Sequence, residues 1–113
     1  ALIEADRVES LGEAPEPVTM PTESGLPHDI YRCRKCRIAV WSTYGGRTKI
    51  RFVRVGTLEN SAALPPDVHI YTRTKLPWVE LPEGVPAFEA YYDSKTLWPA
   101  ESLARRAAAM SAG

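Results

Sequence analysis

Tyr31-Arg32-Cys33-Arg34-Lys35-Cys36-Arg37-Ile38-Ala39-Val40-Trp41 is the stretch whose reading decides the fold, and Cys33 and Cys36 are the chain's only cysteines. Two thiols at this spacing on a tight turn can grip one side of a tetrahedral zinc, which wants four ligands. Ile38 to Trp41 is β-branched and aromatic, so the pair sits where one strand turns into the next. The pattern predicts a zinc knuckle at a hairpin tip, its sulfurs about 3.5 to 4 Å apart. Cys33 and Cys36 supply half of the coordination sphere.

Two other readings of the pair stay open. A redox Cys-x-x-Cys would open a helix whose N-terminus lowers a thiol pKa, but the run from Ile38 to Trp41 is strand-like and lacks a capping signal. Two plain thiols without metal also fit a reducing compartment. Arg32, Arg34, Lys35 and Arg37 crowd the turn, and positive charge favours the thiolates that a metal needs. The other two ligands are not evident. On one strand, His28 faces away from Cys33 and lies roughly 17 Å along it. His69, in Asp67-Val68-His69-Ile70-Tyr71, reads as a satisfied strand histidine.

Outward from the turn, ten prolines and seven glycines cut the chain into short pieces, which favours strands over helices. Strands are expected over Leu2 to Val8, His28 to Cys33, Ile38 to Ser42, Ile50 to Val55 and Val68 to Thr72. The first is ended by Gly12 and Pro15-Glu16-Pro17, and Tyr44-Gly45-Gly46 is a turn. In Ile50 to Val55, Ile50 and Phe52 share one face and Arg51, Val53 and Val55 the other. The stretch from Lys75 to Phe88 is too rich in proline for regular sheet. It reads as a strap over the sheet, with Trp41, Trp78 and Trp98 as core and strap anchors. Pro99 suits the first turn of a helix over Ala100 to Met110, with Leu103, Ala107 and Met110 on one face.

A chain of 113 residues supports one domain with a modest core. Fourteen basic and fourteen acidic residues leave no net charge, so nucleic acid and a membrane surface are not indicated as partners. No apolar run approaches the ~20 residues of a membrane span. Acids near the N-terminus argue against an export signal, and two cysteines without a disulfide framework fit a cytoplasmic setting.

The order of blocks Tyr31 to Cys36, Val55 to Leu58, Pro66 to Ile70, Lys75 to Val79 and Pro86 to Glu89 resembles the glutathione-dependent formaldehyde-activating enzyme family, also called the centromere protein V family. The resemblance implies a mainly β architecture, a β-tent fold of short antiparallel sheets around zinc. The implied activity is that of a carbon–sulfur lyase, making or cleaving S-hydroxymethylglutathione from glutathione and formaldehyde. Glutathione or another small thiol adduct is the implied partner, and a homodimer is compatible with the pattern. Members usually carry a Cys-x-Cys, then a Cys-x-Cys-x-x-Cys, then the Cys-x-x-Cys seen here. By resemblance, the first and last groups build a structural zinc and the middle group holds the catalytic one. Only Cys33 and Cys36 carry over, both to the structural site, and Arg37 stands where a glycine is common. Residues 1–113 are therefore expected to form a single zinc-dependent β domain that lacks the N-terminal part of the family domain. The alternatives are a catalytically silent zinc-fold domain and a zinc-ribbon-like binding module using its basic knuckle. No catalytic residue is assignable from the sequence.

Overall fold

The computed structural model describes residues 1–111. Alternation of side chains builds one antiparallel sheet from β1 (Leu2–Glu4), β2 (Glu16–Met20), β3 (His28–Arg32), β4 (Ala39–Tyr44) and β5 (Ile50–Val53). Its strand order is β1-β5-β4-β3-β2. Pairing of Ser42 with Phe52 and of Leu2 with Phe52 puts Leu2, Ser42, Tyr44, Ile50 and Phe52 on one face, because strand side chains alternate. Ile3, Trp41, Arg51 and Val53 take the other. The turn from β4 to β5 runs through Gly45 and Gly46, with φ of 61° and 72°. Bare glycines adopt this left-handed backbone without a Cβ penalty.

On the central strand, Trp41 is the only buried apolar side chain among the described residues. Tyr31 stacks beside it at 5.6 Å between ring centroids, and the Arg51 guanidinium lies 4.4 Å from its ring centre. The opposite face is covered by α2 (Ala100–Ser111), which packs against β1 and β5. Pro99 precedes it, and its carbonyl accepts from the Ser102 and Leu103 amides at 3.0 and 3.1 Å. A short α1 (Ser94–Leu97) comes before, capped by Asp93, whose Oδ1 accepts from the Lys95 amide at 3.0 Å.

Several sequence expectations need correction. The first strand stops at Glu4, because residues Ala5–Arg7 tighten into a 3-10 turn. Pro15-Glu16-Pro17 does not break the chain but opens β2, with Pro17 opposite Tyr31. An edge strand accepts proline because part of its backbone faces no neighbour. Val68 to Thr72 is not a strand of the sheet. It makes one parallel bridge, His69 to Ala87, and ends where Tyr71 turns left-handed at φ 54°. The strap from Lys75 to Phe88 thus pairs with residues 69–72. Trp78 is 76% exposed and anchors nothing. Trp98 is half-buried and donates from Nε1 to Tyr92 Oη at 2.9 Å. On α2, Ser102, Leu103, Arg106 and Ala109 form the half-buried side, while Ala107 is exposed.

One ion pair joins the two ends of the chain. Arg105 Nε donates to Glu4 Oε1 at 2.8 Å, and Glu4 is buried against the helix. Its own backbone amide and then Arg105 hold the Glu4 carboxyl below the usual carboxylate range, against the upward push of burial. A carboxyl depressed in the folded state stabilises it above the unfolded pKa, and the effect is lost as pH falls through the folded one. Arg105→Ala is therefore expected to lower the melting temperature at pH 7 by roughly 3–6 °C for a domain of this size. The difference from the parent should close as the pH is taken well below the ordinary carboxyl value of 4.5, which a pH series of thermal melts reads directly.

Candidate metal centre

The β3–β4 hairpin ends in a turn rather than a helix: residues 34–36 are turn, and no helix starts at Cys36. The Cys33 amide donates to Ile38 O at 2.9 Å, and the Arg37 amide donates to Cys33 O at 3.0 Å. Arg37 takes φ 65°, which explains why glycine suits this position. Its carbonyl accepts from Arg32 Nη1 at 2.9 Å, which holds the strained residue from outside the turn.

This geometry brings the thiols together. The neighbouring amides of Cys36 and Lys35 act on the Cys33 sulfur first, then the Cys36 thiol, with the Arg37 amide contributing less. These contacts lower the Cys33 pKa against a small opposing effect of burial. Polar hydrogens beside a sulfur favour its charged form, so this turn favours a thiolate at Cys33 more than open chain does. Cys33 is half-buried and Cys36 exposed, and neither is in a disulfide.

The basic side chains play a different part from the one their charge suggested. Arg34 donates from Nε to Ala14 O at 2.9 Å and lies 3.7 Å from Glu13. Arg37 pairs with Glu16 at 3.0 Å. They tie the turn to the segment leading into β2, while backbone amides stabilise the sulfur. Sequence reading missed those amides, since their aim depends on the left-handed Arg37.

Among the described residues no third histidine, cysteine or carboxylate joins the pair as a metal-binding group. A register shift does occur between Tyr31 and Arg32, with Val40 the extra residue on β4. It does not recruit His28, which stacks on Tyr44 at 3.9 Å at the far end of β3. Burial and then Arg54 keep the His28 pKa below its ordinary value. His69 lies outside the sheet, and its buried Nε2 has no hydrogen-bond partner among the described residues. It is neither a strand histidine nor a satisfied one. No described helix is long and apolar enough to cross a membrane.

A single antiparallel sheet, a cysteine pair at a hairpin tip and one short C-terminal helical region define a small mainly β protein. The family model described as glutathione-dependent formaldehyde-activating enzyme matches residues 1–74, a span that takes in all five strands and the cysteine turn. The chain belongs to that family, which gives it a glutathione-dependent, formaldehyde-activating type of function at family level. No curated protein and no solved structure matches it significantly.

The left-handed residue yields a direct test. Arg37→Ala and Arg37→Gly both remove the exposed pair with Glu16, but only glycine relieves the φ of 65°. The glycine variant is expected to be more stable than the alanine variant by about 1 kcal/mol in urea unfolding, the usual scale of the left-handed penalty. Equal stabilities would show that the turn carries no backbone strain.

Proposed function

We propose that this chain is the knuckle-bearing part of a β-tent domain acting in glutathione-dependent formaldehyde chemistry, with Cys33 and Cys36 holding half of a structural zinc site. The family match over residues 1–74 carries the reading. The placing of both thiols on one turn and the lowered Cys33 pKa support it, because a zinc ligand must be a thiolate. Two soft donors fit one edge of a tetrahedral zinc, and the other edge must come from another polypeptide segment or a second copy. Zinc bound there would cross-link the hairpin tip to whatever supplies the remaining donors.

Surface area also supports a domain that needs more polypeptide around it. The accessible surface is 8500 Å², whereas a compact chain of 12.5 kDa exposes roughly 6,200 Å². The radius of gyration is 15.2 Å, against about 13 Å for a chain of this length packed as one core.

In the proposed reaction the glutathione sulfur adds to the formaldehyde carbon, the carbonyl electron pair moves to oxygen, and that oxygen takes the proton lost by the thiol. The reverse breaks the same carbon–sulfur bond. That chemistry needs an open metal position, and a closed four-sulfur site does not offer one. Cys33 and Cys36 are thus structural ligands in this reading, and the reacting groups lie outside this chain. A catalytically silent zinc-fold domain is the alternative, favoured by the lack of a third donor among the described residues.

Metal content is tested first. Cobalt(II) titration should give thiolate-to-metal absorption that Cys36→Ser removes. Zinc retained through gel filtration should be substoichiometric, or half an ion per chain in a dimer. One tightly held zinc per monomer would overturn the half-site reading.

Activity is tested by initial rates of glutathione addition to formaldehyde, with the uncatalysed rate subtracted. Neither the chain nor Cys33→Ser should accelerate the reaction by itself. Catalysis abolished by Cys33→Ser would make the knuckle itself the reacting centre.

A further inference from the structure

At the other end of the β3–β4 hairpin the chain encloses a cleft of about 350 Å³. Its floor is the sheet face carrying Leu2, Tyr44, Ile50 and Phe52, and its roof includes Tyr91, Trp98 and Met110. Tyr44 pairs with His28 and Ala39 with Arg32, so the cleft and the cysteine turn stand at opposite ends of the hairpin. Five residues of strand separate them, roughly 17 Å. The roof comes from residues beyond the 1–74 family match. The cleft forms where the C-terminal segment folds back over the sheet.

The walls are mainly apolar and aromatic, yet two guanidinium groups line them. Arg47 comes from the β4–β5 turn and Arg106 from the half-buried side of α2. Neither has a carboxylate partner among the described residues, although five other arginines do. Both are held in place. Arg106 Nη1 donates to Ser94 Oγ at 3.0 Å, and its guanidinium lies 5.5 Å from the Trp98 ring centre. Arg47 Nε donates to Tyr44 O at 3.3 Å. It folds back over Gly45, where a Cβ would meet Nε at 3.7 Å. Among the described residues no acidic side chain lines the cleft. Burial, and then the hydrogen bond with Tyr92, push the Tyr91 phenol up to about 12, so it stays neutral and the two arginines set the charge.

An apolar cleft of this size with a small number of fixed polar groups is the ordinary form of a small-molecule site. We propose that the cleft binds an amphipathic organic acid, a flat or branched apolar body of roughly a dozen heavy atoms whose carboxylate meets Arg47 and Arg106. Charge complementarity selects this occupant. A neutral apolar molecule leaves both cations without a counter-charge, Arg106 in a half-buried wall and Arg47 at the exposed rim. Glutathione fits less well: its carboxylates could meet the arginines, but its ammonium finds no acidic partner among the described lining residues and its two peptide groups would lie against a mainly apolar wall. The site is thus separate from the proposed thiol chemistry and does not rest on it.

The test uses 2-naphthoate and its neutral counterpart 2-naphthalenemethanol on the full chain, followed by calorimetry and by amide chemical shifts. Naphthoate should bind at least ~10-fold more tightly than the alcohol, the usual scale of a charge-assisted hydrogen bond. The shifts should fall on residues of β5, the 69–71 segment and α2, and not on residues 33–36. Arg106→Gln should cost naphthoate most of that advantage while leaving the alcohol unchanged, and Arg106→Lys should restore part of it. Arg47→Gln, on the far wall and clear of the helix, repeats the measurement should the first variant lose its fold. Equal affinity for acid and alcohol, acid binding that survives both glutamine variants, or displacement by glutathione would each overturn the assignment. Failure here leaves the cysteine turn untouched, because zinc or cobalt binding at residues 33 and 36 is read independently.

Discussion

Trp41 is the point through which the sheet becomes one body. It sits on β4, the central strand, and is the only apolar side chain buried among the described residues. Tyr31 of β3 and Arg51 of β5 close on it from either side, so the three middle strands share one contact. Burying an aromatic ring of this size is worth on the order of 3 kcal/mol, and a guanidinium over its face adds a little more. In a chain with so little buried apolar surface, that is a large share of the available stabilisation. The other face has no equivalent centre. It relies on α2 and on the pair between Glu4 and Arg105, which couples the first strand to the last helix.

The parts of the fold legible in the sequence are those governed by local chemistry. β3, β4, β5 and α2 are announced by alternation, by the glycine turn at 45–46 and by Pro99, and each lies within two residues of its expected limits. β2 was hidden because proline reads as punctuation, and only its place at the sheet edge makes Pro17 tolerable. The 68–72 segment alternates well, but alternation cannot say which neighbour a strand finds. Here it found the end of the strap and the residues just after it, through one backbone bond each to Pro86 and Ala90 and two to Phe88. Trp78 and Trp98 have similar proline-flanked settings, yet one is exposed and the other donates to a half-buried tyrosine. Their difference is purely tertiary.

At the candidate site the same division holds. Cysteine spacing was enough to place both thiols on one hairpin tip. It could not show that Cys33 would be served by backbone amides while the surrounding arginines turned to Glu13, Glu16 and main-chain carbonyls. A left-handed Arg37 closes the turn, with its amide donating to the Cys33 carbonyl, and the amides of Cys36 and Lys35 in that turn lower the Cys33 pKa. Fixed dipoles of this kind need no desolvated cation and move with the turn itself, which makes them a steadier support for a thiolate than flexible arginines.

The hairpin therefore separates two electrostatic environments along one rigid element. At the tip, neighbouring backbone amides lower the Cys33 pKa, and Arg34 and Arg37 are paired with Glu13 and Glu16. At the base, Arg47 and Arg106 stay without carboxylates among the described residues and face an aromatic cleft. Zero net charge for the whole chain conceals this arrangement, because the compensation is local at one end and lacking at the other. Strands β3 and β4 are paired over their whole length apart from one bulge, so the distance between the two ends is fixed by backbone geometry. A ligand at the base cannot reach the thiols, and a metal at the tip cannot reach the cleft. Coupling between them would have to pass through Trp41 and the strands that grip it.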